Sequence, residues 1–291
     1  MFYIQVIGEI LFDIFNEQKK LGGAPFNFFY HLLKLQNNVD FISAIGKDKF
    51  GRDLLKYLDE NKFPINNIQI NNKPTGTVNI SLNQAGIPKY EITKKVAYDF
   101  INEVTIQQIP DLFYFGSLIQ RNEVSKNTVR LLLEKNEKAI YKFCDINLRK
   151  DCYSEEIIRY SLEQSNILKI NEEELDEISN IINLTGFNDN LIKNLAKEYD
   201  IPVICVTLGS KGSKLLFDNQ IYSQPSKSIK LLDTIGAGDA FSAVLAYGIL
   251  NNWSPQNILK KATFFAEHIC QNQGAIPNND QIYKLIRGKL N

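Results

Sequence analysis

The chain of 291 residues carries 33 basic and 33 acidic side chains, so no global field points to nucleic acid or an anionic membrane as its partner. Apolar content of 44% is enough for a real core, and the length allows one large domain or two smaller ones. Cys144, Cys152, Cys205 and Cys270 lie far apart with no Cys-x-x-Cys and only two histidines, which argues against zinc and a disulfide framework and suits a reduced, cytoplasmic compartment.

Residues 1–15 are apolar but interrupted by Glu9 and Asp13. They have no basic leader or cleavage-site pattern and are too short for a membrane span. They read as a first strand, 3–7, running into a loop. Short apolar runs predict further strands over 39–44, 112–115, 139–144, 167–170 and 203–207. Helical periodicity falls between them, over 25–35, 50–60, 125–135, 155–163, 172–182 and 190–198. Such alternation predicts an α/β fold: a mostly parallel central sheet with helices on both faces. Ligands of such sheets bind outside the carboxyl ends of the strands. From 65 to 93 the helical pattern is missing, and 68–70, 77–82 and 90–92 read as short strands with a turn at Gly86-Ile87-Pro88. A small β-element inserted in this way is a natural lid. Strands at 214–217 and 221–223 precede a helical tail over 237–250, 254–271 and 280–289.

Asp233-Thr234-Ile235-Gly236-Ala237-Gly238-Asp239 opens the apolar run Ala240–Leu245. Two glycines at the start of a buried helix let a ligand approach the backbone, where unpaired amides form an anion site. A carboxylate beside that site repels phosphate, so Asp239 makes sense as a general base for a hydroxyl attacking it. The plain alternative is an acidic first turn that favours the helix dipole. This segment resembles the C-terminal signature of the ribokinase family, the PfkB-type carbohydrate kinases. The resemblance implies a ribokinase-like fold with Asp239 as catalytic base and Gly236, Ala237 and Gly238 as the anion hole.

Further segments carry the same resemblance. Gly22-Gly23-Ala24-Pro25-Phe26-Asn27 is similar to the family's N-terminal signature in the form of bacterial fructokinases. It implies that Gly23 and Asn27 contact the sugar; alone, it reads as a glycine turn before a helix. Asp13 falls where the family places an aspartate that binds sugar hydroxyls, and otherwise reads as a solvated loop acid. Asn171-Glu172-Glu173-Glu174 accounts for itself as a capping box. It also resembles the family's Asn-x-x-Glu motif, which implies Asn171 at the nucleotide and Glu174 acting on magnesium through water. Thr207-Leu208-Gly209-Ser210-Lys211-Gly212 is either a tight turn or the family's nucleotide loop. The latter implies Thr207, Gly209, Ser210 and Gly212 around ATP, with Thr263, Ala266 and Cys270 of a late helix opposite and Gly274-Ala275 closing the pocket. Asp145-Ile146-Asn147-Leu148-Arg149 resembles the Asp-Pro-Asn-x-Arg stretch of fructokinases and ketodeoxygluconate kinases, and makes Arg149 a substrate ligand; the alternative is a surface pair between Arg149 and Asp145. Thr75-Gly76-Thr77-Val78 and 96–101 look like the start of the lid and the segment after it.

The resemblance spans Gly8 to Gly274 and implies one domain, 1–291, with a lid at 65–95 joined by part of 9–16. It implies phosphoryl transfer from Mg2+-bound ATP to a primary hydroxyl of a small sugar, with fructose the first expectation and 2-keto-3-deoxygluconate or a nucleoside the alternatives. Leu11 and Ala24 stand where ribokinases proper carry Asn and Lys, which disfavours ribose. A potassium ion near Asp233 and a homodimer through the lid are further expectations. Two readings of other classes compete. A non-catalytic sugar-binding regulator would not need Asp239, and a nicotinamide oxidoreductase would need a Gly-x-Gly-x-x-Gly where Gly8-Glu9-Ile10-Leu11 stands.

Overall fold

The apolar run Tyr3–Ile7 forms β1, which pairs in parallel with β4 (Asn38–Gly46) on one side and β8 (Leu112–Phe115) on the other. The computed structural model describes residues 1–15, 18–82 and 88–288. Gly86 and Ile87 of the expected turn, and residue 289 at the end of the expected last helix, lie outside them. The main sheet continues through β5 (Ile68–Asn71), β9 (Tyr141–Asp145), β10 (Ile167–Asn171), β11 (Val203–Thr207), β12 (Ser213–Phe217) and β13 (Gln220–Gln224). Its nine strands run in the order β13-β12-β11-β10-β9-β8-β1-β4-β5. All neighbours are parallel except the last two pairings, β11 with β12 and β12 with β13.

Side chains alternate across this sheet and feed two cores. Ile4, Val6, Leu112 and Tyr114 join the core under α1 (Ala24–Lys34), α2 (Lys49–Glu60), α7 (Ala237–Leu250), α8 (Pro255–Cys270) and α9 (Gln281–Arg287). Ile7, Phe113 and Phe115 join the core under α3 (Glu123–Lys135), α4 (Glu155–Gln164), α5 (Glu172–Ile182) and α6 (Asp189–Tyr199). Helix starts follow the local chemistry. Asp48, Ser154 and Ser254 each accept an amide three residues on. α7 is buried along nearly its whole length, which is why it is apolar all round.

A second sheet rises from the carboxyl rim of the first. It has the order β3-β2-β6-β7, built from β2 (Leu11–Phe15), β3 (Gln18–Gly22), β6 (Gly76–Leu82) and β7 (Pro88–Ile92). Here the structure corrects the sequence reading twice. The expected loop after β1 is the strand pair β2–β3, whose charged and buried positions conceal it. The strand at 68–71 belongs to the edge of the main sheet, paired with β4, and not to the small sheet.

Candidate active site

At the start of α7, Gly236 takes φ +77, and a Cβ there would lie 2.2 Å from that of Ala275. Only glycine fits. Asp233 braces the loop, its two oxygens accepting the amides of Ile235 (3.0 Å) and Gly274 (2.9 Å). No side chain caps α7; the Ala237 amide goes to the Thr234 carbonyl at 3.3 Å, which leaves the amides of Gly238 and Asp239 at the helix start, the geometry that suits an anion. Asp239 sits in that first turn. Asn27 of α1 donates to Asp239 Oδ2 at 2.7 Å across 212 residues of chain, while Asn27 Oδ1 is buried with no partner among the described residues. Burial pushes the Asp239 carboxyl up to about 6; nearby Asp145 adds to this, against the Asn27 hydrogen bond, Lys169 and Arg149.

The diglycine lets the loop after β1 close against α1. A Cβ on Gly23, whose φ is +107, would meet the Glu9 carbonyl at 2.5 Å, and one on Gly22 would meet Asp13 Oδ2 at 2.5 Å. Glu9 is buried and its carboxyl is raised to about 7, chiefly by desolvation; Asp239 raises it further, while Arg149 and Arg121 oppose. Asp13 is raised to about 6, again chiefly by burial, against Arg149 and Lys20. The exposed Arg149 thus acts on Glu9, Asp13 and Asp239 at once. It forms no pair with Asp145. That carboxylate is buried, bonded to Lys169 Nζ at 3.1 Å and to Ser242 Oγ at 2.7 Å. Glu9 and Lys169 were missed in the sequence: the first reads as a loop acid, the second as a polar residue alternating in a strand.

On the other side of Gly238 lies a cavity of about 750 Å³. Asn171, Thr207, Gly209, Ser210, Gly212, Thr263, Ala266 and Cys270 all line it, with Ala237 and Gly238 at its inner end. The Thr263 hydroxyl is bonded to Ser213 Oγ at 3.1 Å. Ser226, Lys227, Ile229 and Leu231 are further wall residues; no motif marks them, and Glu267 holds the first two, accepting from Ser226 Oγ (2.9 Å) and the Lys227 amide (2.6 Å). Gly274 and Ala275 do not line this cavity; they buttress the Asp233–Gly236 loop. Lys211 pairs at the surface with Glu172.

Asn171 and Glu174 form the expected capping box: Asn171 Oδ1 accepts the Glu174 amide and Glu174 Oε2 accepts the Asn171 amide, both at 2.8 Å. Glu174 Oε1 also accepts the amide of Leu148 at 2.9 Å, next to Arg149. Among the described residues no cluster of three His, Cys, Asp or Glu could hold a metal ion, and no helix is long and apolar enough to cross a membrane.

Comparison with known proteins identifies the family. The model of the pfkB family of carbohydrate kinases matches residues 7–282. A sugar kinase of Pyrococcus horikoshii is 29% identical, covering 97% of this chain and 94% of that protein. Its structure in complex with ATP superposes with a TM-score of 0.80 at 27% identity, over 97% of this chain and 99% of the other. A fructokinase of Escherichia coli is 26% identical over 84% of each chain. A 5-dehydro-2-deoxygluconokinase of Clostridium beijerinckii is 25% identical, over 93% of this chain and 85% of its own. The fructokinase of Vibrio cholerae bound to fructose, ADP and calcium shares the fold, with a TM-score of 0.83 at 22% identity over 98% of this chain and 99% of that one. A ribokinase-like α/β fold and a family match over nearly the whole chain lead to one conclusion: the protein belongs to the pfkB family and is an ATP-dependent carbohydrate kinase.

Proposed function

We propose that the chain transfers the γ-phosphoryl of ATP to a primary hydroxyl of a keto-sugar, with fructose the first candidate. The observation that carries this reading is the 2.7 Å bond from Asn27 to Asp239. It joins the diglycine helix to the anion loop at one point, so that a hydroxyl held by the first faces a phosphate held by the second. The sugar oxygen attacks the γ-phosphorus, its proton passes to Asp239, and the bond to the ADP oxygen breaks. The unpartnered Asn27 Oδ1 is suited to a sugar hydroxyl, since a buried acceptor left unpaired is costly. ATP fits the 750 Å³ cavity with its phosphates toward Gly238. Magnesium, when bound, would neutralise the phosphates; Glu174, whose two oxygens accept the Leu148 and Asn171 amides, would be the residue to order its waters. The second sheet serves as a lid that keeps water from competing as acceptor. An ATP-consumption assay over a panel of sugars tests the assignment; turnover on no keto-sugar would remove it.

A second reading has its own support. Relatives include both fructokinases and a 5-dehydro-2-deoxygluconokinase, and Arg149 is an exposed cation set among the site's carboxylates. Arg149 is suited to the carboxylate of an acidic sugar as well as to phosphate. Arg149→Ala is expected to fold normally and to raise the sugar KM or lower kcat about tenfold or more, the worth of a charge-assisted hydrogen bond. Arg149→Lys is impaired as well, because an ammonium does not reproduce the bidentate fork. The ratio of the loss on an acidic sugar to the loss on fructose separates the two substrates. Wild-type kinetics in both variants would return Arg149 to the surface.

Glu174→Gln provides a further check. Glutamine has one acceptor oxygen, so it can serve the Asn171 amide or the Leu148 amide but not both. A loss of about 1–3 kcal/mol in stability is expected from the amide left unpaired. If Glu174 also orders magnesium waters, the half-saturating Mg2+ concentration rises at fixed ATP. An unchanged Mg2+ curve together with a lowered Tm confines Glu174 to the helix cap.

A further inference from the structure

Lys169 lies in the middle of β10, between the apolar Ile167, Leu168 and Ile170 with Asn171 at the strand end, and it is buried. An ammonium has three N–H bonds to place. Among the described residues, its recorded partner is Asp145 Oδ1 alone, at 3.1 Å. The second oxygen of Asp145 accepts from Ser242 Oγ at 2.7 Å, and that hydroxyl also contacts the carbonyl of Gly238 at 3.0 Å. Lys169 Nζ stands 3.2 Å from where a Cβ on Gly238 would be. The Lys169–Asp145–Ser242 chain is therefore fastened to the back of the glycine loop, and Gly238 lines the cavity in front of it. A lone ion pair in a core is readily replaced by apolar residues. A pair with free donors, tied through a serine to the backbone that would hold an anion, has a more specific use.

Resting on the reading of Asp239 as base and the glycine loop as anion site, we infer that Lys169 supplies its remaining N–H donors and positive charge to the transferring phosphoryl group, with Asp145 and Ser242 holding it in place. As charge moves from the γ-phosphoryl to the ADP oxygen, a fixed cation in a dry site stabilises it without reorganising. The same charge acts on the base. Asp239 is faced by Asn27 from α1, Tyr114 from β8, Asp145 from β9, Lys169 from β10, Arg149 from the loop after β9 and Glu9 from the loop after β1. Of these, Lys169 favours the ionised carboxylate and Asp145 opposes it. The two members of the pair should therefore move the acid limb of the pH profile in opposite directions.

The experiment measures kcat, sugar KM, the acid limb of kcat/KM and Tm for Lys169→Gln, Lys169→Arg, Asp145→Asn and the double variant K169M/D145L. Lys169→Gln is expected to lose about 10²–10³-fold in kcat with sugar KM changed only a few-fold, and its acid limb moves to higher pH. Lys169→Arg restores the position of that limb. In Asp145→Asn the limb moves to lower pH. If the single glutamine variant fails to fold, the double variant, which leaves no unpaired buried charge, still decides: a folded protein with kcat down about 10²-fold supports the inference, and near-wild-type turnover overturns it. Activity that falls only in step with Tm, with the acid limb unmoved, also overturns it, because that is what a purely structural pair would do. Asp239→Asn is run alongside. If it loses turnover while the Lys169 variants keep theirs, this inference alone fails; if it keeps turnover, the reading of the base fails.

Discussion

Asp239→Asn binds ATP and sugar and loses about 10²–10⁴-fold in kcat, the usual worth of a general base. Asparagine keeps the shape and can still accept the Asn27 hydrogen bond through its amide oxygen, so the contact across the site survives. It cannot take a proton. It is also tolerated in the first turn of a helix, so stability hardly moves. Removing a negative charge beside the phosphates is expected to tighten ATP binding. The wild-type pH profile follows from the same residue. Its carboxyl is pushed up to about 6 by burial, so the base is protonated and kcat/KM falls as pH drops through that value. The asparagine variant loses the Asp239 contribution to that limb, while Asp13 and Glu9, raised to about 6 and about 7, still titrate in the same range. Calorimetric binding paired with turnover on the purified variant checks both. Turnover within a few-fold of wild type would sink the base assignment and most of the proposed mechanism.

Arg121→Met is expected to cost about 3–5 kcal/mol of stability, because it strips the partner from a buried carboxylate. Arg121 bonds Asp99 through Nε (2.7 Å) and Nη2 (2.9 Å), and Nη2 also reaches the Thr93 carbonyl (2.7 Å) and the Tyr98 hydroxyl (3.0 Å). Asp99 is 1% exposed and accepts the Val96 amide besides. Thr93 follows β7 directly, so this one guanidinium fastens the returning end of the small sheet to the main body. At about 2 °C per kcal/mol for a chain of this size, Tm drops by about 6–10 °C. The sugar KM rises as well, since the closing element loses its anchor. Arg121→Met combined with Asp99→Leu removes both charges and recovers much of the stability but not the KM. A Tm within two degrees of wild type in the single variant would show that the ion pair contributes little.

The main sheet was readable because buried parallel strands are largely apolar runs, and six of them stand between helical patterns. The small sheet was only half readable. Leu11–Phe15 carries Asp13 at its centre and Gln18–Gly22 opens with Gln-Lys-Lys, so neither shows the alternation of a half-buried strand, and the second neighbour of β2 is β6, more than 60 positions downstream. The glycine loop, the diglycine and the capping box announce themselves because their chemistry is local in sequence. Lys169 and Glu9 do not. Lys169 matters through Asp145, 24 residues away, and Glu9 through arginines that chain proximity does not predict. The Ser226–Leu231 wall has no signature, and its start is fastened by Glu267 on a later helix.

The bond between Asn27 and Asp239 joins positions near opposite ends of the chain, and β1 lies inside its sheet, flanked by β4 and β8. Contacts between distant positions form late, after the loop-closure entropy between them has been overcome. During synthesis the first helix and its diglycine emerge and wait, while the strands and helices of the second half are still being made. The competence to transfer a phosphoryl group is therefore among the last properties the growing polypeptide acquires. Partly folded forms that lack a docked α7 leave Asn27 without its carboxylate partner, so a half-made enzyme has little means of squandering nucleotide.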